Sequence, residues 1–442
     1  MTRKHATTFG ILLGWIALIA AGCAVGAIPQ ASPNGSGPAV GEPVARASTA
    51  PEPRDTPERI ILNLTAAPAT SQAVTWRTEA QTATPRSQIA RADGSGAFDA
   101  RARTVDAESL SVVLGDGRRV HHHRVIFEGL EPETRYAYRV GAGQTWSEWN
   151  HFETAGTASS PFSFVYFGDP QEEVLSKCAR VFRAAFKKAP EADFWHFVGD
   201  LVDNGDRDEE WAELFEALGW IPRTTPLILL PGNHEYPDKR FVHGPAYRLF
   251  PLWRPHFTLP ENGPAGLEET VYRIDYQGTR LVMLNGNEKL EEQAAWLDRI
   301  LGLDPQHWTI VAIHQPIYST GKHRDKTLLE NLFVPIFDRH GVDLVLQGHD
   351  HTYSRSFKLR GGQRVGPDQP GTVYVISVSG PKSYPVNPRH LARMARTGTG
   401  RQLFQVIRVS AGRLAYEAFD AAGELFDAME LKKESPRKAD SP

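Results

Sequence analysis

The chain has 442 residues, 41% of them apolar and 23% charged, which is ordinary globular composition with room for two or three domains and a substantial core. Lys and Arg number 49 against 52 Asp and Glu, a formal net charge of -3. That balance excludes a general attraction to nucleic acid, so an anionic ligand has to be caught by local groups.

Residues 1–23 open with Arg3, Lys4 and His5 and continue as TFGILLGWIALIAAGC. A basic start followed by an apolar run too short to cross a bilayer comfortably is the layout of an export signal. The ending AAGC resembles the lipobox of bacterial lipoproteins, although Ala20 stands where Leu is preferred. That resemblance implies that Cys23 becomes a lipidated first residue, with the membrane as a partner through an N-terminal anchor. The expected address is the cell envelope, the outer membrane or periplasm in a diderm host. Residues 24–57 are rich in Pro, Ala, Ser and Gly and cannot bury a core, so they read as a tether. Cys178 is the other thiol, and no intrachain disulfide is expected once Cys23 is lipidated.

Residues 58–157 consist of short alternating runs such as IILNLT, AVTWRT, RVIFEGL and RYAYRVG, separated by turn signals. The pattern predicts a β-sandwich. GLEPETRYAYRVG is similar to the fibronectin type III pattern, with Tyr136 placed as its corner tyrosine and Trp76 as its core tryptophan. His121, His122 and His123 lie in a strand whose alternation sends them to both faces, so they read as structural.

Residues 160–425 alternate apolar strands with helical spacing over EEVLSKCARVFRAAFKK, LEEQAAWLDRILG and TLLENLFVPIFDRHG, which predicts an α/β domain. Residues 426–442 read as a polar, disordered tail. Five strand-like runs stop abruptly at Asp, Asn or His: GDPQ (168–171), GDLVDNG (199–205), PGNHE (231–235), VAIH (311–314) and GHDH (348–351). In open α/β sheets ligands bind beyond the carboxyl ends of the strands. Asp169, Asp200, Asn233, His314, His349 and His351 at such ends are the oxygen and imidazole donors that divalent or trivalent metals take.

As an ordered set these motifs resemble the calcineurin-like metallophosphoesterases, and the sandwich in front of them resembles the purple acid phosphatases. The likeness spans residues 58–425. It implies two domains, an all-β fibronectin type III-like sandwich followed by an α-β-β-α metallophosphoesterase domain. It implies two metal ions drawn from Fe, Zn and Mn, with Asp200 bridging them, Asp169 and His351 on the first, and Asn233, His314 and His349 on the second. His234 becomes the leaving-group acid, oriented by Asp203, while His323 and Arg324 face the substrate phosphate. Two positions depart from the pattern. Asp203 stands where purple acid phosphatases carry a metal-bound tyrosine, so their colour is not expected. Gln171 replaces a usual first-site His and is at most a weak ligand.

The expected function is an exported dinuclear-metal phosphatase that hydrolyses phosphorylated small molecules, as monoesters, with a metal-activated hydroxide. A phosphodiesterase of the same fold and a catalytically inert surface binding protein are the alternatives. The oligomeric state is left open by the sequence.

Overall fold

The computed structural model describes residues 54–82, 84–321 and 327–434. Cys23 and the expected export signal, most of the expected 24–57 tether, and His323 and Arg324 lie outside the described residues. No helix among the described residues is long and apolar enough to cross a membrane.

The sandwich forms as its alternation predicts. One face is built from Glu58–Asn63, Gln72–Thr78, Arg119–Phe127 and Glu108–Val113, and the other centres on Pro85–Arg91 and Arg135–Ala142. Trp76, Val74, Phe127, Tyr138 and Phe152 fill the space between them. The Tyr136 hydroxyl accepts the Glu131 N–H at 2.9 Å, which closes the corner. His121 and His123 bond Ser111 and Ser109 at 2.9 and 2.8 Å, and His122 stands edge-on to His256.

The α/β part is two sheets face to face. Its second sheet runs Tyr272–Tyr276, Thr279–Leu284, Trp308–Ile313, Leu344–Gln347, Val373–Ile376, Tyr353–Ser356, Met394–Gly398. Successive residues of a strand leave on opposite faces. Leu281, Ile310 and Leu344 therefore enter the core between the sheets, while Val282, Val311 and Val345 pack against the helices Leu290–Gly302 and Thr327–His340. Ala179–Lys188 and Asp208–Leu218 bury Phe182, Trp211 and Leu214 with Phe167, Trp195 and Phe197 of the first sheet. The Tyr166 hydroxyl accepts from Gln347 N at 3.2 Å and also reaches Gln347 O, pinning the two sheets together.

Three local features differ from the sequence reading. The helix expected from residue 172 becomes α-helical only at Ala179, because Glu172 and Glu173 take left-handed φ of 60° and 49° and Val174–Cys178 is wound as a π turn. This wide turn carries the Cys178 thiol to 3.0 Å from Pro170 O, where burial pushes its pKa up to about 12. The expected tail 426–442 instead begins within a strand, Leu425–Lys432, because it pairs along Arg413–Asp420. The helix Asp208–Leu218, with three acidic residues in its first turn, was not foreseen.

The sandwich and the α/β part also share one sheet. Ten strands run Leu425–Lys432, Arg413–Asp420, Leu403–Ser410, Phe162–Phe167, Phe194–Phe197, Leu227–Leu229, Glu58–Asn63, Gln72–Thr78, Arg119–Phe127, Glu108–Val113. The join is the parallel pairing of Asn63 with Leu227, reinforced by Asn63 Nδ2 donating to Leu227 O at 3.0 Å. Beside it Asp208 takes Arg59 at 2.6 Å and Arg77 at 2.8 Å, all three side chains being nearly buried.

Burial also sets a pH dependence. It lowers the pKa of His122 to about 3, with Arg77 and Arg59 adding to the effect, and those of His123 and His196 to about 4. In the unfolded chain these rings titrate near 6.5, so below that pH the unfolded state binds more protons than the native one. Their stabilisation is complete above pH ~6.5 and is lost as pH falls towards the folded values, each ring costing up to about 1.4 kcal/mol per pH unit in that window. The melting midpoint should therefore drop steadily from pH 7 to 4.5. A level midpoint across that range would refute the assignment of these rings as buried and neutral.

Candidate metal centre

Asp169 and Asp200 follow the strands Phe162–Phe167 and Phe194–Phe197 of the first sheet, and Asn233 follows Leu227–Leu229. His314 follows Trp308–Ile313 of the second sheet, and His349 and His351 follow Leu344–Gln347. The two sheets thus deliver their strand ends to one place. Ligand atoms of Asp200, His314 and His349 lie within 4.8 Å of one another, as do those of Asp169, Asp200 and His351.

The backbone there is strained. Asp169, Asp200, His349 and His351 all have left-handed φ, of 43°, 48°, 72° and 50°, a conformation that costs non-glycine residues on the order of 1 kcal/mol or more each. The surroundings hold it. Both oxygens of Asp169 accept the His349 N–H, at 2.8 and 2.7 Å. The Glu235 carboxylate, fully buried, accepts from Asp200 N, Leu201 N and Gly232 N at 3.0, 2.8 and 2.6 Å, which ties the GDLVD and PGNHE turns together. Asp350, between the two histidines, accepts from Ser319 Oγ at 2.9 Å and from Thr320 N and Gly321 N at 2.7 Å. Gly232 and Gly348 must be glycine, since a Cβ would strike the carboxylates of Asp200 and Asp169.

The donor set fits a cation. His314 Nδ1–H donates to Val198 O at 2.8 Å, so its Nε2 presents a lone pair. That atom faces Asp200 Oδ2 at 3.1 Å, His349 Nδ1 at 3.2 Å and Asn233 Oδ1 at 3.3 Å. Acceptors this close repel one another unless a proton or a metal stands among them. Burial works against a charge on His314, but Asp200 and Asp169 overcome it and push its pKa up to about 9. For Asp200, burial likewise opposes ionisation, and His314, His234 and His349 prevail, holding the carboxyl well below the usual range. A metal ion bound here displaces that proton.

His234 sits beside this group. Its N–H donates to Asp200 Oδ1 at 2.9 Å and its Nδ1 lies 2.5 Å from the carbonyl of Asp203 and 3.4 Å from that residue's carboxylate. Asp203 therefore meets the ring chiefly through its main chain. Gln171 does not replace the missing histidine in kind: its Nε2 bridges Asp203 Oδ1 at 3.1 Å and His234 Nε2 at 3.2 Å. Its Oε1 is buried with no hydrogen-bond partner among the described residues. His323 and Arg324 lie outside the described residues.

The residues flank a cleft of about 680 Å³ that Tyr236, Lys239, Tyr247, Lys382 and Tyr384 also line. Sequence reasoning overlooked Glu235, Asp350, Lys382 and Tyr384. The first two lie inside PGNHE and GHDH, so a carboxylate next to a ligand was their signal. GPKSYP, after an apolar strand, was the signal for the others.

Comparison with known proteins agrees with this architecture. Residues 57–154 match the family model for the purple acid phosphatase N-terminal domain, and residues 162–353 match that for calcineurin-like phosphoesterases. Acid phosphatase type 7 of Danio rerio is 26% identical over 385 residues, 73% of this chain and 81% of that one. An uncharacterised protein of Mycobacterium tuberculosis is 26% identical over 373 residues, 72% of this chain and 68% of that one. The structure of a purple acid phosphatase from yellow lupin seeds superposes with a TM-score of 0.72 at 17% identity, covering 86% of this chain and 74% of that one, and so shares the fold. The chain belongs to the calcineurin-like phosphoesterases, as a metal-dependent phosphoric ester hydrolase of the purple acid phosphatase type.

Proposed function

We propose that this hydrolase is a dinuclear-metal phosphatase acting on phosphate monoesters. The observation that carries the reading is the sharing of Asp200 between two triads of ligand side chains. Asp169, Asp200 and His351 would hold one ion, and Asp200, Asn233, His314 and His349 the other. Iron, zinc and manganese all accept such mixed oxygen and imidazole donors. When bound, the ions supply positive charge to a phosphoryl oxygen and a nucleophilic water near neutral pH.

The chain's own residues do the rest. His234 Nδ1–H donates a hydrogen bond to the Asp203 carbonyl, so Nε2 is the ring's acceptor and meets the Gln171 amide. To act as the leaving-group acid, Nε2 would take up a proton and turn from that amide to the departing alkoxide. The Gln171 amide, bonded to both Asp203 and His234, restrains the ring about its χ angles. Monoesters are supported by the name of the zebrafish relative, an acid phosphatase. The cleft volume has room for a second organic group, which keeps diester hydrolysis as the competing reading. The enzyme is further proposed to be exported and tethered through Cys23, on the sequence of residues 1–23 alone, and the mass of its mature N terminus checks this.

The test is turnover of p-nitrophenyl phosphate and of bis-p-nitrophenyl phosphate by protein stripped of metal and reloaded with Mn, Zn or Fe. Metal-dependent hydrolysis with kcat/KM for the monoester at least about tenfold the higher is expected. A reversed ratio makes it a diesterase. No turnover with any metal rejects the phosphatase.

A further inference from the structure

Three cationic side chains, Lys239, Arg240 and Lys382, line the cleft. Lys239 donates to Asn287 O at 2.9 Å and lies 4.5 Å over the Tyr247 ring, while Arg240 is exposed and paired with Asp238. Lys382 differs. Its ammonium is half-buried in the cleft wall and is held by Glu172 at 2.6 Å. One ion pair uses one of three N–H donors and leaves the others for a ligand.

The segment that carries Lys382 is fixed to Asp169 and His351, two members of one group of candidate ligands. Ser379 N donates to Gly168 O at 2.6 Å and Gly380 N to Asp169 O at 2.9 Å, and Tyr384 N donates to His351 O at 3.1 Å. Gly380 is pressed against the carbonyls of Asp169, Pro170 and Gln171, at 2.6, 2.7 and 2.9 Å from where a Cβ would stand. The Tyr384 ring meets His351 edge-on at 5.2 Å. Lys382 is therefore a charge set at a defined place beside Asp169 and His351, rather than one on a free loop. A half-exposed Lys–Glu pair contributes little to stability, so the fold alone gives slight reason for a lysine here.

We propose that Lys382 is a substrate-contacting residue whose ammonium, aimed by Glu172, binds an oxygen of the substrate's phosphate group and of inorganic phosphate product. The assignment rests on the phosphatase reading above. Gln171 is a neutral amide, and Lys382 supplies a positive charge to the cleft, on a segment that packs on the carbonyl of that residue. A flexible point charge suits this task, since it follows the phosphate as the ester bond lengthens.

The experiment compares metal-loaded wild type with Lys382→Met and Lys382→Arg in metal content, in KM and kcat for p-nitrophenyl phosphate, and in the Kd of inorganic phosphate by calorimetry. With metal content unchanged, Lys382→Met should raise both KM and the phosphate Kd about tenfold and lower kcat by less than about threefold, and Lys382→Arg should recover most of the affinity. Glu172→Gln should give a smaller rise in both constants. KM and Kd within twofold of wild type in Lys382→Met overturn the proposal, as does equal impairment of the Met and Arg variants, which would mark a packing role. If wild type itself neither hydrolyses the ester nor binds phosphate, the phosphatase reading has failed and takes this assignment with it.

Discussion

Asp200→Asn should lower phosphate ester hydrolysis on the order of a thousandfold and remove at least one metal ion per chain. The substitution keeps the size of the side chain and an oxygen for the His234 N–H at 2.9 Å. It removes the charge that both triads share. An outer residue that merely orients a ligand costs ten- to a hundredfold when removed, and a carboxylate common to two ions has to cost more. Elemental analysis beside turnover is the check. Full metal content with activity within tenfold of wild type would dismiss the bridging role.

Asp208→Asn should destabilise the protein by about 3 kcal/mol, because it leaves two buried guanidinium groups facing each other with only the part-exposed Glu58 carboxylate, on Arg77, as counter-charge. Arg59 bonds Asp208 through Nη1 at 2.6 Å, and Arg77 Nη1 reaches both oxygens at 2.8 Å. Burial opposes the ionised carboxyl, but Arg59 and Arg77 outweigh it and lower its pKa. A lowered folded pKa means that this contribution is present above the unfolded value of about 3.9 and disappears as pH falls below it. Arg86–Asp106 is the control: both side chains are exposed, and Asp106→Asn should change stability by no more than about 1 kcal/mol. Denaturant midpoints of the two variants separate the cases, and equal shifts would mean that the Asp208 cluster is not a structural joint.

That joint bears on function. Arg59 and Arg77 sit on the sandwich strands Glu58–Asn63 and Gln72–Thr78, and Asp208 opens a helix packed on the sheet that presents Asp169, Asp200 and Asn233. The sandwich is thus an extension of the catalytic sheet through Asn63 and Leu227.

The sequence by itself determined the elements and the donor types. Alternation at period two marked the sandwich strands, and LEEQAAWLDRILG and TLLENLFVPIFDRH coincide with Leu290–Gly302 and Thr327–His340. Buried strands that stop at Asp, Asn or His stood out because such residues rarely end an apolar run without a partner. These are local signals, written within a dozen residues. Only the tertiary structure decided which residues meet. Asp208 lies far along the chain from Arg59 and Arg77, and Glu172 far from Lys382, so no local period links them. Asp203 approaches His234 through its carbonyl, and Gln171 turns its amide to that ring, outcomes set by left-handed turns at Asp169, Asp200 and Glu172. Side-chain type is carried by the letter of the sequence, but the direction it faces depends on backbone angles that distant packing over-determines.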